Sequence, residues 1–244
     1  MHATSAELAE MEAAIGPLTR KLASRLARRR RRRSGRLDFR RTVRRSLATG
    51  GVPADPQFRH PRPHRPEVWL LCDISGSMAT FSRFTLQFTH AMATHFARLR
   101  SFAFIDTVDE VTDFFGPGRD FGAAVTRIIT EAEVVWLDGH SDYGNSLERF
   151  HQAYGPQLTP RTTIIITGDA RNNYRAPRHS VLGEIARQAR AVLWLNPEPE
   201  AYWDTGDSVM SSYARHCTSV HEVRTLRQLE EFVENLAVPT HWNP

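Results

Sequence analysis

The stretch Val68-Trp69-Leu70-Leu71-Cys72-Asp73-Ile74-Ser75-Gly76-Ser77 decides how the rest of the chain is read. Five apolar residues in a row suit a strand buried on both faces. A helical pattern follows, with Phe84, Phe88, Met92, Phe96 and Leu99 at helical spacing. A carboxylate and two hydroxyls therefore leave the carboxyl end of a strand and enter a helix. In an open α/β sheet that is where ligands bind. Oxygen donors of this hardness suit Mg²⁺ or Mn²⁺. Two serines two residues apart can present their hydroxyls on one side, and Gly76 between them allows the tight bend.

Working outward, strands are expected at 67–73, 101–106, 109–115, 162–167, 190–195 and 218–223. Helices are expected at 82–99, 120–132, 144–154, 180–189, 208–214 and 225–236. This alternation implies an α/β fold, a doubly wound and mostly parallel sheet with helices on both faces. The run Ser101 to Phe115 reads as two strands joined by a tight turn, which gives one antiparallel edge strand.

The 244 residues are enough for one sizeable α/β domain with an appendage. No apolar run approaches the roughly 20 residues of a membrane span. Residues 1–21 lack the apolar core of a signal peptide, and two cysteines, Cys72 and Cys217, form neither a disulfide framework nor a zinc spacing. A reducing cytoplasm is the expected location. The net charge of +5 conceals an asymmetry: residues 1–66 carry 17 Lys/Arg against 5 Asp/Glu, which leaves 15 against 22 for residues 67–244. On charge, residues 1–51 form a basic, Arg-rich helical arm, 52–66 a linker with five prolines, and 67–238 the folded domain. Within the arm, Leu8, Met11, Ile15, Leu18 and Leu22 make an amphipathic helix over 5–26. Asp38 can cap a second helix, with Phe39, Val43 and Leu47 on one face.

The pattern Asp73-x-Ser75-Gly76-Ser77 after an apolar strand resembles the metal-ion-dependent adhesion site of von Willebrand factor A (VWA) domains. The resemblance implies a distal Asp at the end of a later strand. Thr162 to Thr167 followed by Gly168-Asp169 supplies it. It also implies a Thr from an intervening loop. The loop Asp138-Gly139-His140-Ser141-Asp142-Tyr143-Gly144 offers Ser141 there, with Asp142 able to substitute or assist and His140 beside the site. Carried over, Ser75, Ser77 and Ser141 ligate directly, and Asp73 and Asp169 act through water. An open position would accept a carboxylate from a partner.

More narrowly, the segment Leu37 to Gly51, the loop Gly139 to Leu147, Trp194-Leu195-Asn196-Pro197 and Leu226-Arg227-Gln228-Leu229 resemble CoxE-like proteins. That family is bacterial and cytosolic. It is associated with MoxR-type AAA+ ATPases and with maturation of molybdenum or copper enzymes such as carbon monoxide dehydrogenase. The resemblance implies a non-enzymatic adaptor that docks the ATPase or a client enzyme through its metal.

Two other readings stand beside it. A Mg²⁺-dependent phosphatase or hydrolase would use Asp73 as nucleophile, but the acid/base Asp expected two positions later is Ser75, and the Gly-x-Ser-x-Gly of a serine hydrolase is absent. A nucleic-acid binder would act through Arg28–Arg33, which lacks interleaved aromatics. His216, Cys217 and His221 read as structural rather than as ligands.

Overall fold

A computed structural model describes residues 5–27, 36–47, 58–59, 67–75, 79–96, 98–116, 120–135 and 140–236. Ser77, the run Arg28–Arg33, most of the proline linker and Asp138-Gly139 lie outside the described residues. The chain forms two compact units, one from Met1–Leu26 with Arg65–Pro244 and one from Ala27–His64.

In chain order the elements begin with α1 (Ser5–Ala27). The smaller unit follows with β1 (Arg36–Leu37), α2 (Phe39–Leu47) and β2 (Phe58–Arg59). Here β1 and β2 pair antiparallel, and Asp38 Oδ1 accepts the Arg41 amide at 3.1 Å, as the capping pattern predicts. Phe39 and Leu47 on α2 stay exposed.

The larger unit continues with β3 (Glu67–Asp73), α3 (Ala79–His95), β4 (Leu99–Phe104), β5 (Val108–Glu110) and α4 (Phe121–Glu131). Next come α5 (Tyr143–Tyr154), β6 (Thr162–Thr167), α6 (His179–Gln188) and β7 (Ala191–Asn196). The last elements are α7 (Met210–Ala214), β8 (Ser219–Glu222) and α8 (Leu226–Asn235). The six-stranded sheet has the order β5-β4-β3-β6-β7-β8, parallel throughout except for the antiparallel edge strand β5.

Alternation along each strand sorts the core into two layers. Val68, Leu70 and Cys72 of β3 face one side, where Phe88 and Met92 of α3 and Leu229, Phe232 and Val233 of α8 cover them. Trp69 and Leu71 face the other, against Leu147 and Phe150 of α5, Leu182 and Ile185 of α6, and Tyr213 of α7. Both faces are filled, which is why β3 and β7 read as apolar runs and β6 carries Ile164, Ile165 and Ile166 in succession.

Two expectations are corrected. The stretch 1–51, grouped as one arm on its charge, divides between the two units. Ile15, Leu18, Leu22 and Leu26 of α1 join the same layer as α3 and α8. The Leu26 carbonyl accepts from Arg190 Nη1 at 2.9 Å, and Lys21 pairs with Glu234 at 2.5 Å. The apolar stripe decides the helix's place, because it must be covered whatever charge the other faces carry. The strand expected at 109–115 stops at Glu110, and Thr112–Phe114 turn as a short 3₁₀ helix. The Thr112 hydroxyl accepts the Ser101 amide at 2.9 Å and donates to Glu110 at 2.7 Å, so a side chain replaces the next rung of the ladder.

Candidate metal centre

The connections leaving β3 and reaching β6 run to opposite sides of the sheet, since β4 lies on one flank of β3 and β6 on the other. That reversal opens a crevice beyond the carboxyl ends of β3 and β6. Asp73 is the last residue of β3, and Asp169 lies two residues past β6. Both are buried, as are Ser75 and Ser141.

The two carboxylates converge on one hydroxyl. Tyr143, the first residue of α5, donates its O–H to Asp73 Oδ2 and lies 3.3 Å from Asp169 Oδ1. The same oxygen accepts the Ala170 amide at 3.2 Å. Asp73 Oδ1 accepts the Ser75 amide at 2.8 Å, and Asp169 Oδ1 accepts the Arg171 amide at 2.9 Å. Gly168 makes the approach possible. A Cβ there would fall 2.1 Å from the Tyr143 hydroxyl and 3.1 Å from Asp73 Cβ, so any side chain would occupy the phenol's place.

Burial, and then the neighbouring Asp169, push Asp73 up to about 7. Burial, followed by the charges of Asp73 and Asp169, carries Tyr143 well above the usual phenol range, so its hydroxyl stays a donor. Two buried acids side by side repel, and a divalent cation is the charge that would relieve them. The donors are hard oxygens, of the kind Mg²⁺ or Mn²⁺ takes. Among the described residues no group of three or more His, Cys, Asp or Glu is placed to hold a metal by itself. Serine hydroxyls and water would therefore have to complete the shell, and Ser75 and Ser141 are of the right type.

The flanking residues have defined places. Ser141 precedes the cap of α5, and its carbonyl accepts from Asn173 Nδ2 at 2.9 Å. Asp142 caps α5 through the Asn145 amide at 2.8 Å and pairs with Arg175 at 3.3 Å. His140 is exposed. Ser77 falls outside the described residues.

Sequence reading did not single out Tyr143, although it lies in the quoted loop. The available signal was a tyrosine at a core-facing first helical position, whose hydroxyl needs a polar partner once buried. A further buried acid, Asp106, follows β4 at the same end of the sheet, and its carbonyl accepts from Asn145 Nδ2 at 2.7 Å.

The loop after Asp169 is built from strained backbone. Ala170, Asn173, Tyr174 and Arg178 all have positive φ, between 44° and 59°. Left-handed non-glycine residues persist only where the surroundings hold them, and they gather at functional sites. Asp207 accepts the Asn173 amide at 3.1 Å and pairs with Arg171 at 2.8 Å. Arg171 also pairs with Glu198 at 2.7 Å, and Asn172 Oδ1 accepts the Tyr143 amide at 2.8 Å. Tyr174, 86% exposed, stands on this loop.

A six-stranded sheet of this order, with an Asp-x-Ser turn at the end of its third-from-edge strand and a second acid across the switch point, defines a VWA domain. The chain belongs to the family described as VWA domain containing CoxE-like protein, whose pattern matches residues 11–232. Comparison with curated proteins gives no match. Among solved structures the chain is similar to the von Willebrand factor type A protein from Catenulispora acidiphila, at 12% identity and a TM-score of 0.47, over 70% of this chain and 42% of that one. It is also similar to proximal thread matrix protein 1 from the mussel byssus, at 16% identity and a TM-score of 0.42, over 69% and 46%. A second structure of that mussel protein, described with a zinc-occupied MIDAS motif, matches at 15% identity and a TM-score of 0.42, also over 69% and 46%. The chain thus spans less than half the length of each of these solved proteins.

Proposed function

We propose that this protein is a cation-dependent protein-interaction adaptor and not an enzyme. The observation that carries the reading is the convergence of Asp73 and Asp169 on one buried hydroxyl, beside Ser75, at the switch point of the sheet. Ser75, Ser77 and Ser141 would hold Mg²⁺ or Mn²⁺ directly, and Asp73 and Asp169 would hold its water. Such a cation, with few anionic direct ligands, is electrophilic and can take a carboxylate from a partner. The chain's own part is to bury the acids, fix their orientation and present the surrounding loops.

A phosphatase would need Asp73 as an accessible nucleophile. Here both carboxylate oxygens accept hydrogen bonds, and the side chain is fully buried. That geometry supports a binding role.

Membership of the CoxE-like family supports the finer reading: a bacterial, cytoplasmic protein that works with a MoxR-type AAA+ ATPase in maturing a client metalloenzyme such as a carbon monoxide dehydrogenase or another molybdenum hydroxylase. No helix of the described residues is long and apolar enough to cross a membrane.

The test is calorimetric titration of wild type and Asp73→Ala with Mg²⁺ and Mn²⁺, followed by capture of the purified ATPase in Mg²⁺ or in EDTA. Binding and capture should both be lost in the variant, and capture should be lost in EDTA. Capture that ignores both EDTA and the substitution would refute the adhesion mechanism.

A further inference from the structure

Tyr143 is held by its ring, its hydroxyl and its backbone amide. Its ring lies edge-on to Phe104 at 5.1 Å and stacks on Trp194 at 5.7 Å, and Tyr213 lies 6.1 Å away. Gly168 leaves room for the hydroxyl and nothing more. The hydroxyl therefore has one place to go, and in that place it meets both acids and the Ala170 amide. Asp73 cannot turn without breaking the hydrogen bond it accepts from that hydroxyl, and Asp169 Oδ1 lies 3.3 Å from the same oxygen. The Tyr143 amide is fixed as well, on Asn172 Oδ1.

From this we infer that Tyr143 is a positioning residue of the cation site: its hydroxyl sets the spacing and orientation of Asp73 and Asp169, and so the affinity of the site for a hard divalent cation. The inference rests on the reading of these residues as a cation site. It adds a residue to that site by a route that ligand type alone would not reveal, since a phenol held between two acids need not touch the cation. Phenylalanine at 143 would keep the ring and its stacking. It would leave Asp73 Oδ2 and the Ala170 amide without this partner and set the two acids directly against each other. Partners that orient the ligands of a metal site typically contribute about 10- to 100-fold to affinity.

Tyr213→Phe is the matched control. Tyr213 belongs to the same buried stack, 5.2 Å from Trp194, but its hydroxyl donates to the Pro177 carbonyl at 2.7 Å and not to either acid. Mn²⁺ is the probe, with affinity read by calorimetry and the bound ion's symmetry by electron paramagnetic resonance. Circular dichroism and thermal unfolding in EDTA confirm that each variant is folded. Tyr143→Phe should weaken Mn²⁺ binding at least about tenfold and alter the zero-field splitting of what remains bound. Tyr213→Phe should stay within about twofold of wild type. Gly168→Ala, whose added methyl would fall 2.1 Å from the same hydroxyl and displace it, should weaken binding as Tyr143→Phe does, and it serves if the Phe variant does not fold.

Each other outcome overturns the inference in its own way. A wild-type protein that binds no Mn²⁺ removes the cation site and the inference with it. Wild-type binding matched within about twofold by Tyr143→Phe removes the inference alone. Equal weakening in Tyr143→Phe and Tyr213→Phe assigns the loss to the aromatic stack and not to the hydroxyl.

Discussion

Replacing Asp73 by asparagine should make the cation-free protein more stable at pH 8, a direction opposite to that of most buried substitutions. The wild-type carboxyl is fully buried beside Asp169 and is raised from 3.8 to about 7. Between those two values the native state holds a proton that the unfolded chain has released. Stability therefore falls as pH rises from about 4 to about 7, and the full penalty applies above 7. At about 1.4 kcal/mol per pH unit the penalty is roughly 4 kcal/mol. Asparagine removes it. The amide, however, offers one acceptor where the carboxylate has two, and both Ser75 and Tyr143 donate to this side chain. A net gain of about 2 kcal/mol is expected, which for a domain of this size raises Tm by about 4–8 °C. The assay is thermal unfolding in EDTA at pH 4 and pH 8. The variant should fall about 2 kcal/mol below wild type at pH 4, where the wild-type carboxyl is protonated and carries no penalty, and exceed it by about as much at pH 8. Adding Mg²⁺ at about a hundredfold its Kd should raise wild type by about 2.7 kcal/mol and leave the variant unmoved, which closes or inverts the gap. A variant less stable than wild type at pH 8 in EDTA would refute the electrostatic reasoning. One that still responds fully to Mg²⁺ would refute Asp73's part in holding the cation.

Two further outcomes follow from the packing. Leu22→Ala should destabilise the larger unit by about 2–5 kcal/mol in chemical unfolding, because Leu22 is fully buried in the layer of α3 and α8; a change within about 0.5 kcal/mol would place α1 outside the core. Cys72, buried in the layer between β3 and α3 and pushed by that burial up to about 11, should resist a thiol-trapping reagent at pH 8 in the folded protein and react once it is unfolded in urea; rapid labelling of Cys72 without denaturant would show that this layer opens readily.

Much of the fold was legible because the strands are buried on both faces. The runs at 67–73 and 162–167 have the bounds the sequence suggested, and the antiparallel edge follows from the tight turn after Phe104. Asp73 ends β3 and Asp169 lies two residues past β6, and the resemblance to an adhesion site is what paired them in the sequence. What failed was whatever depends on side-chain direction or on competing signals. The basic charge of residues 1–51 suggested an appendage, yet one face of α1 is apolar enough to be buried, and burial of that face outweighs charge that can stay in water. Thr112 ended β5 early with a side-chain hydrogen bond that no propensity reports. Tyr143 was hidden for a related reason. Period and capping place it on α5 facing the core, but only the register of β3 with β6, and a glycine at 168, bring its hydroxyl between two acids.

That hydroxyl also bears on how such a site can present itself. Three segments distant in sequence meet there: 73–75, 141–143 and 168–175. Tyr143 binds the acids through its hydroxyl, Ala170 through the same oxygen, and Asn172 through its amide, while Asn173 reaches the Ser141 carbonyl. The residues so joined include Ala170 and Asn173, two of the four left-handed residues in the loop that carries exposed Tyr174. Left-handed backbone at a non-glycine residue costs about 1–3 kcal/mol, so this loop keeps its shape through those contacts and those of Asp207, not through local preference. A change in how the two acids are held therefore reaches the segment that displays Tyr174 through the Ala170 amide. If a partner's carboxylate meets the site, the same contacts govern the aromatic surface that meets the partner beside it. Recognition would then depend on the acids being correctly set, as well as on their charge.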